Sequence, residues 1–372
     1  MKKVFQEYFP LDDQVLSELW KDAIFVFDTS VLLNLYRYSQ NTSNEFIDII
    51  TMLKERTWLP FQVGLEFNKN RLNVISDQKK NYLDFEKKIH LLIEEIENQN
   101  RNPFFSKALT ERIVSIKKDL NIEIEQRIKE YDDSLKIDLV LDKLNLVFED
   151  KIGNELSSEE INKFQKEGER RYKNKIPPGY CDLKKPENER YGDFFLWQEI
   201  IKKSKDETID VIFVLDDRKE DWWFEHQGKT ISPRPELLKE FRLETKKNIH
   251  FYKPFQFLEY SNKYLESKIG EDVIQEVKNY EHIIRIDKKF IQIYLTLQGD
   301  IKDIHLLTND IKNTGYNILT ESDKNETTHF LNITLPNIPD LERRFNSKFI
   351  SKLSEYKIKL IEINKTTPTS QS

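Results

Sequence analysis

The chain has 372 residues, 33% of them charged, with 59 basic against 65 acidic side chains and a formal net charge of −6. That length can bury a full core and supports two domains, or one domain with large insertions. The acidic balance excludes a bulk electrostatic grip on nucleic acid, although it leaves room for a local basic patch. A single cysteine, Cys181, excludes an intramolecular disulfide and suits a reducing compartment. Lys2-Lys3 is not followed by an apolar leader, and no run approaches the length of a membrane span. The expectation is a soluble, cytoplasmic protein with no membrane partner.

Residues 1–22 read as an amphipathic lead-in, with Leu16, Leu19 and Trp20 at helical spacing. Ala23 to Phe27 is wholly apolar and stops at Asp28-Thr29-Ser30. Such a run predicts a strand buried on both faces, as in a parallel sheet covered by helices. In open α/β sheets the ligand crevice lies outside the carboxyl ends of the strands, where Asp28 stands. Val31 to Tyr38 predicts a helix, and Thr42 with Glu45 a capping box that opens a second one. Trp58 to Phe61 reads as a short strand or turn, and Gln62 to Asn73 opens a helix with Glu66 and Asn70 on one face.

From about 81 to 171 the chain is highly charged and apolar only at helical intervals, through Leu83, Ile89, Leu92, Ile93 and Ile96. This predicts a helical insertion, an antiparallel hairpin broken at Asn102-Pro103. Its second half ends in Lys166, Arg170, Arg171, Lys173 and Lys175, a basic excess or simply a solvated helix face. Pro177-Pro178-Gly179 marks a loop running through Asp182 and Lys185. Phe194, Trp197 and Ile201 give the next helix a buried face, with Asp193 in its first turn. Ile209 to Leu215 is a second apolar strand, ending in Asp216-Asp217. Pro235 to Glu244 reads as a helix, Ile249 to Tyr252 as a strand and Pro254 to Leu265 as a closing helix.

Beyond Ser267 the pattern changes to a small α+β domain. Phe290 to Leu297 and Thr328 to Leu335 alternate like strands, Asp303 to Tyr316 and Pro339 to Leu353 read as helices, and Tyr356 to Ile363 as a last strand. The expected division is 1–266 and 267–372, and nothing in the second part carries a catalytic pattern.

Two buried strands that deliver carboxylates to one sheet edge suggest a cation site, because crowded, unpaired acids need neutralising. The candidate ligands are Asp28, Glu66, Asp182, Asp193, Asp216, Asp217 and Asp221. Each alone has a bland reading as a cap, a surface charge or an ion-pair partner. Hard oxygen donors suit Mg²⁺ or Mn²⁺, and two such ions would clamp the attacking and leaving oxygens of a phosphodiester displacement. Other chemistries fit less well. The chain has 9 glycines and no phosphate-cradling Gly-rich loop, and Cys181 and the 6 histidines lack zinc-ligand spacing. Leu32 stands where the DxSxS adhesion motif needs a serine, and Ser30 breaks the DxDx[TV] phosphatase pattern.

The segments FVFDTSVLLNLYRYS, WLPFQVGLEFNKNR, PPGYCDLKK, YGDFFLW, VIFVLDDRKEDWWF and PRPELLKEF occur in this order between about residues 23 and 260. Together they resemble the PIN-like nucleases, in particular a bacterial PIN-like branch of undefined role. The resemblance implies a three-layer α/β/α sandwich with a central, mainly parallel sheet, carrying the helical insertion and followed by the α+β domain. It also implies a Mg²⁺- or Mn²⁺-dependent nuclease whose substrate is nucleic acid, RNA in preference to DNA. Carried over by motif, the catalytic acids are Asp28, Glu66, Asp193 and Asp217, with Asp182 as an extra acid. Thr29 or Ser30 would steady Asp28. One departure is Leu215, where the family usually has threonine. A non-catalytic module binding nucleic acid or protein around a structural metal is the alternative.

An acidic pocket repels a phosphate backbone, so the expectation includes a cationic rail of Lys69, Arg71, Arg170, Arg171, Lys173, Lys185, Arg218 and Lys219. Tyr172, Tyr180, Trp222 and Trp223 are candidates for base stacking, the two tryptophans equally for core packing. The insertion and C-terminal part suggest gating or recruitment by a regulatory protein or a second copy, in a toxin-like or antiviral defence role.

Overall fold

The computed structural model describes the chain apart from positions 3, 98–104, 188, 227–228, 299–300, 313–316, 323–327, 337–352, 354–357 and 367–372. Its contacts divide it into two units, Met1–Val277 and Lys278–Ser372.

The first unit opens with helix α1 (Asp13–Asp22) and strand β1 (Ile24–Phe27), followed by α2 (Thr29–Asn34) and α3 (Gln40–Met52). The long α4 (Phe61–Glu97) and α5 (Lys107–Ser134) follow, then α6 (Leu139–Phe148), α7 (Ser158–Lys173) and α8 (Gly192–Glu207). Strand β2 (Val211–Val214) leads to a β3 (Trp223–His226) and β4 (Lys229–Pro233) hairpin, then α9 (Pro235–Thr245), β5 (Ile249–Tyr252) and α10 (Pro254–Tyr264). α11 (Glu271–Lys289) runs through the point where the units divide.

The central sheet is parallel, in the order β1-β2-β5, and every residue of β1 and β2 is buried. Its register pairs Phe25 with Ile212 and Ile212 with His250, so alternate residues along the strands supply two faces. On one face Trp20 of α1 and Phe257 of α10 meet Phe25, with ring centroids 5.2 and 6.1 Å away, and Phe46 of α3 lies 5.6 Å from Phe257. On the other face Phe213 and Phe251 pack with Trp222, and Phe251 with Trp197 of α8, which also meets Phe241 of α9. Each of these rings is at most 4% exposed, and burying a large apolar side chain fully is worth about 1.5–3 kcal/mol. Helices on both sheet faces make an α/β/α sandwich, as the unbroken apolar runs predict.

Three local readings change. The cap of α3 is Ser39, whose Oγ accepts the Thr42 N–H, so the helix begins before the Thr42–Glu45 pair. A second acceptor explains the shift, because Glu276 takes the Ser39 N–H at 2.6 Å and the Thr42 hydroxyl at 2.7 Å. The helix expected over Val31 to Tyr38 is the shorter α2, capped by Asp28 itself. The insertion does not start as a separate element either. α4 carries Glu66 in its second turn and runs, 37 residues in all, out to its partner α5. There Lys79 meets Asp132 at 2.7 Å, and Tyr82 packs on Tyr131. The break expected at Asn102-Pro103 lies outside the described residues.

The second unit contains a four-stranded antiparallel sheet in the order β7-β8-β6-β9, formed by β6 (Phe290–Gln298), β7 (Asn317–Ser322), β8 (Thr328–Pro336) and β9 (Lys359–Thr366). Helix α12 (Ile301–Lys312) precedes β7. Strand β7 has no counterpart in the sequence reading, and the last strand begins at Lys359 rather than Tyr356. The helix expected over Pro339 to Leu353 falls almost wholly outside the described residues.

Candidate active site

The carboxyl ends of β1 and β2 stand side by side, since the Asp28 N–H donates to Val214 O at 2.9 Å. Asp28 leaves the sheet in extended conformation and caps α2, with its Oδ2 accepting the Ser30 N–H at 3.0 Å and the Ser30 hydroxyl. Thr29, buried beneath, donates its hydroxyl to Glu66 Oε2 at 3.0 Å, and Gln62, one turn earlier on α4, donates to Oε1 at 2.6 Å. The start of α4 is itself held from α8, where the Glu199 carboxylate accepts the N–H groups of Phe61 and Gln62 at 2.6 and 3.1 Å. Gly192 opens α8 directly against Glu66, and a Cβ there would run into Glu66 Oε1. The next residue, Asp193, sits in the first turn, where the helix dipole favours a negative charge.

Past β2, Asp217 folds back on its own chain, its Oδ1 accepting the Lys219 N–H at 2.8 Å. This local turn orients Asp217, and the nearby Leu215 is an apolar residue only 1% exposed. Lys219 then reaches inward. Its Nζ lies 2.9 Å from Oδ2 of each of Asp182, Asp193 and Asp217. Lys185 meets Asp182 at 3.0 Å. Trp222 donates its indole N–H to Asp193 at 3.3 Å.

The charges are uneven. Burial, followed by the like charges of Asp193, Glu66 and Asp217, pushes Asp28 up to about 7 against the Ser30 hydrogen bonds. Burial and then Asp193 raise Glu66 too, despite Gln62 and Thr29. Burial works to raise Asp193 as well, but the ammonium of Lys219, then Lys185, holds it below the ordinary carboxylate range. Asp182 is raised, by burial first and then by Asp193. Burial works to lower Lys219, yet Asp193, Asp217 and Asp182 keep it well above its usual value and therefore charged.

Of the acids expected from sequence, five share this place: Asp28, Glu66, Asp182, Asp193 and Asp217. Asp216 turns away, with Oδ2 accepting from Asn34 at 2.5 Å and Oδ1 lying 4.0 Å from Arg218. Asp221 is fully buried, and its Oδ2 accepts the N–H groups of Gly179 (2.9 Å) and Cys181 (3.0 Å). It therefore ties down the loop that carries Asp182 and Lys185, at a point where Gly179 adopts φ +93°.

The rail divides in the same way. Lys69, Arg170 and Lys173 are exposed, although Arg170 is paired with Glu167 at 2.6 Å. Arg71 is engaged with Asp138 at 2.6 Å, fastening the cap of α6 to α4. Arg171 is 4% exposed, paired with Glu240 and stacked over Phe194, because a guanidinium so deep must spend its donors on fixed partners. Arg171 and the inward-turned Lys219 thus leave the proposed exposed rail. Tyr172, Trp222 and Trp223 are core residues at 3%, 1% and 4% exposure, which corrects the stacking role considered for them. Sequence reasoning missed Gln62, whose only signal is its position one turn before Glu66, and the inward path of Lys219.

A PIN like domain family profile matches residues 24–237. The chain belongs to this family, and the fold, with its acids at the strand ends, is of the nuclease type. No curated protein and no solved structure matches the chain. PIN-like nucleases typically use divalent metals. The donor set here fits such an ion: the oxygens are hard, Asp28 and Glu66 are desolvated, and the hydrogen bonds to them from Ser30, Thr29 and Gln62 come from neutral groups. Among the described residues no three of these side chains are already arranged to hold a metal, and the Lys219 ammonium stands between three of them. No helix among the described residues is long and apolar enough to cross a membrane.

Proposed function

We propose that this chain is a Mg²⁺- or Mn²⁺-dependent endonuclease that hydrolyses phosphodiester bonds, with RNA as the favoured substrate over DNA. Asp28, Glu66, Asp193 and Asp217 form its catalytic acids. The observation that carries the reading is the meeting of carboxylates from β1, α4, α8 and the end of β2 at one sheet edge, in a family whose members are generally nucleases. When bound, a divalent ion supplies Lewis-acid chemistry, lowering the pKa of water and offsetting charge that grows on the phosphoryl oxygens. Asp28, Glu66 and Asp193 would hold it.

The chain's own groups supply orientation and charge balance. Ser30, Thr29 and Gln62 fix the carboxylates of Asp28 and Glu66 by hydrogen bonds. Lys219 has all three N–H groups on carboxylates, so it serves as a fixed cation and not as a base. Lys185, at the mouth of the acidic loop, and the exposed Lys69, Arg170 and Lys173 would steer the phosphate backbone, giving affinity without reading sequence. In the cytoplasm an unrestrained nuclease is harmful, which fits a toxin-like or antiviral defence role with either the helical insertion or residues 267–372 acting as a gate or recruiter.

The test is incubation of the full chain with labelled single-stranded and duplex RNA and DNA, with Mn²⁺, Mg²⁺ or EDTA. Metal-stimulated scission that disappears in Asp28→Asn and Asp217→Asn is expected. Binding that survives in EDTA without new ends would support the rival reading, a non-catalytic module, for which the buried Leu215 is the one favouring feature.

A further inference from the structure

A cavity of about 370 Å³ lies between the start of α4 and α6. Gln62 and Glu66 turn one face of α4 to the acids, while Gly64, Leu65 and Asn68, on a different face of the same two turns, line the cavity. Its inner wall is apolar: Leu32, Leu59, Leu144 and Phe148 are each at most 8% exposed. Leu65 and Ile152, at 37% and 56% exposure, stand at the mouth. A volume of this order falls within the usual range of small-molecule sites, about 300–1,000 Å³.

The walls are tied to one another. The Leu59 N–H donates to Lys151 O at 3.0 Å and the Gly153 N–H to Leu59 O at 2.8 Å, which fixes the segment carrying Ile152 against the entry to α4. Arg71 of α4 holds Asp138, the cap of α6, at 2.6 Å. The space is therefore built into the fold.

One end of it is negative. Phe148 and Glu149, the last residue and the C-cap of α6, both line the cavity. The carboxyl end of a helix carries partial negative charge, and the last turn of α6 has no basic residue to offset it. Among the described residues lining the cavity, Glu149 is the one that bears a charge. It is exposed, and among the described residues its carboxylate has no ion pair or hydrogen bond. The two lysines nearest in sequence are engaged elsewhere, Lys151 Nζ with Lys54 O at 2.5 Å and Lys143 Nζ with Asn44 Oδ1 at 2.8 Å. The chain thus supplies an apolar chamber whose negative end lacks a counter-charge.

We propose that this cavity binds a small organic cation, an amine carrying an apolar alkyl or aryl body. The body displaces water from the leucines and Phe148, and the ammonium lies at the carboxyl end of α6 beside Glu149. An alcohol of the same shape keeps the apolar burial and loses the charge attraction. A carboxylate of that shape meets repulsion at the same place. No acid of the candidate active site takes part, so the inference stands apart from the metal-dependent reading.

The experiment is calorimetric titration of the full chain with three probes of one shape: phenylbutylamine, phenylbutanol and phenylbutyrate. The amine should bind, the alcohol several-fold more weakly, and the carboxylate not measurably. Glu149→Gln should narrow the gap between amine and alcohol. Gly64→Leu, which sends a branched side chain into the chamber, should abolish binding of both, with circular dichroism confirming the fold. A further measurement needs no variant: the methyl signals of Leu65 and Ile152 should shift as the amine saturates wild type, while that of Ile231, an exposed residue on β4, stays in place. Absence of amine binding, equal binding of the three probes, or amine affinity unaltered in a folded Gly64→Leu would overturn the inference. So would shifts at Ile231 without shifts at Ile152. None of these results touches the metal-dependent reading, which is tested by strand scission.

Discussion

The Thr29 hydroxyl donates to Glu66 Oε2 at 3.0 Å, so the residue that follows the β1 acid fixes the acid carried by α4. Thr29 is 2% exposed, and Gln62 holds the other oxygen of the same carboxylate. Thr29→Val keeps the shape and removes the donor. The expected cost is about 1–2 kcal/mol in stability and roughly 10- to 100-fold in Mn²⁺ affinity or cleavage. Denaturant melts and metal titration read the two effects separately. Unchanged metal affinity in a folded Thr29→Val variant would remove Thr29 from any role in the site.

Asp28 gives a prediction of definite sign. Burial first, then Asp193, Glu66 and Asp217, put its folded pKa at about 7 against a usual 3.8. A carboxyl raised in this way binds more protons folded than unfolded, so stability falls as pH rises from about 4 to about 7 and stays reduced above that. Without metal, Asp28→Asn should therefore be more stable than wild type at pH 8, by about 1–2 kcal/mol. Near pH 4 the two should match. An Asn at this position still caps α2 by accepting the Ser30 N–H. Equal or lower stability of the variant at pH 8 would mean that the carboxylate crowding is relieved by other means.

What the sequence exposed and what it hid follow from the range of the forces involved. Asp28 and the pair Asp216-Asp217 were legible because a short unbroken apolar run reads as a buried strand whose end emerges at the sheet edge, while the choice of Asp217 over Asp216 came from the family resemblance. Glu66 and Asp193 needed the family resemblance, since a helical acid with no partner in view looks like any surface charge. The inward path of Lys219 and the burial of Arg171 were not legible. Both are set by carboxylates distant in sequence, Asp182 and Asp193 for the one and Glu240 for the other. Helical periodicity found the insertion but not its continuity with α4, because no Gly, Pro or cap separates Glu66 from the charged stretch beyond it.

Asp221 makes a loop prediction that can be read chemically. Its Oδ2 accepts from Gly179 and Cys181, and it helps burial push the Cys181 thiol up to about 12. Asp221→Ala leaves both N–H groups without their acceptor, for about 2–4 kcal/mol of lost stability. It should also free the loop carrying Asp182 and Lys185. With the carboxylate gone, Cys181 should ionise more readily, so iodoacetamide at pH 8 should alkylate it several-fold faster. An unchanged alkylation rate would show that burial alone controls the thiol.

The basic residues that close the insertion divide into a structural and an electrostatic group. Arg171 holds Glu240 through both terminal nitrogens, at 2.5 and 2.8 Å, while Trp197 donates to the same carboxylate at 2.9 Å. Glu240 is on α9, Trp197 on α8 and Arg171 on α7, so one guanidinium joins three helices on one face of the sheet. Arg171→Ala should therefore cost about 2–4 kcal/mol and leave the salt dependence of nucleic-acid binding as it was. Lys69 and Lys173 are exposed, and their replacement should do the reverse. For a single strand each lost phosphate contact removes about 0.7 from the slope of log affinity against log salt. Lys69→Ala with Lys173→Ala should flatten that slope by up to about 1.4 with little change in melting. Binding measured across a salt series, beside thermal melts of all three proteins, separates the two groups. A flatter slope in Arg171→Ala, or an unaltered slope in the double variant, would put the phosphate path elsewhere on the surface.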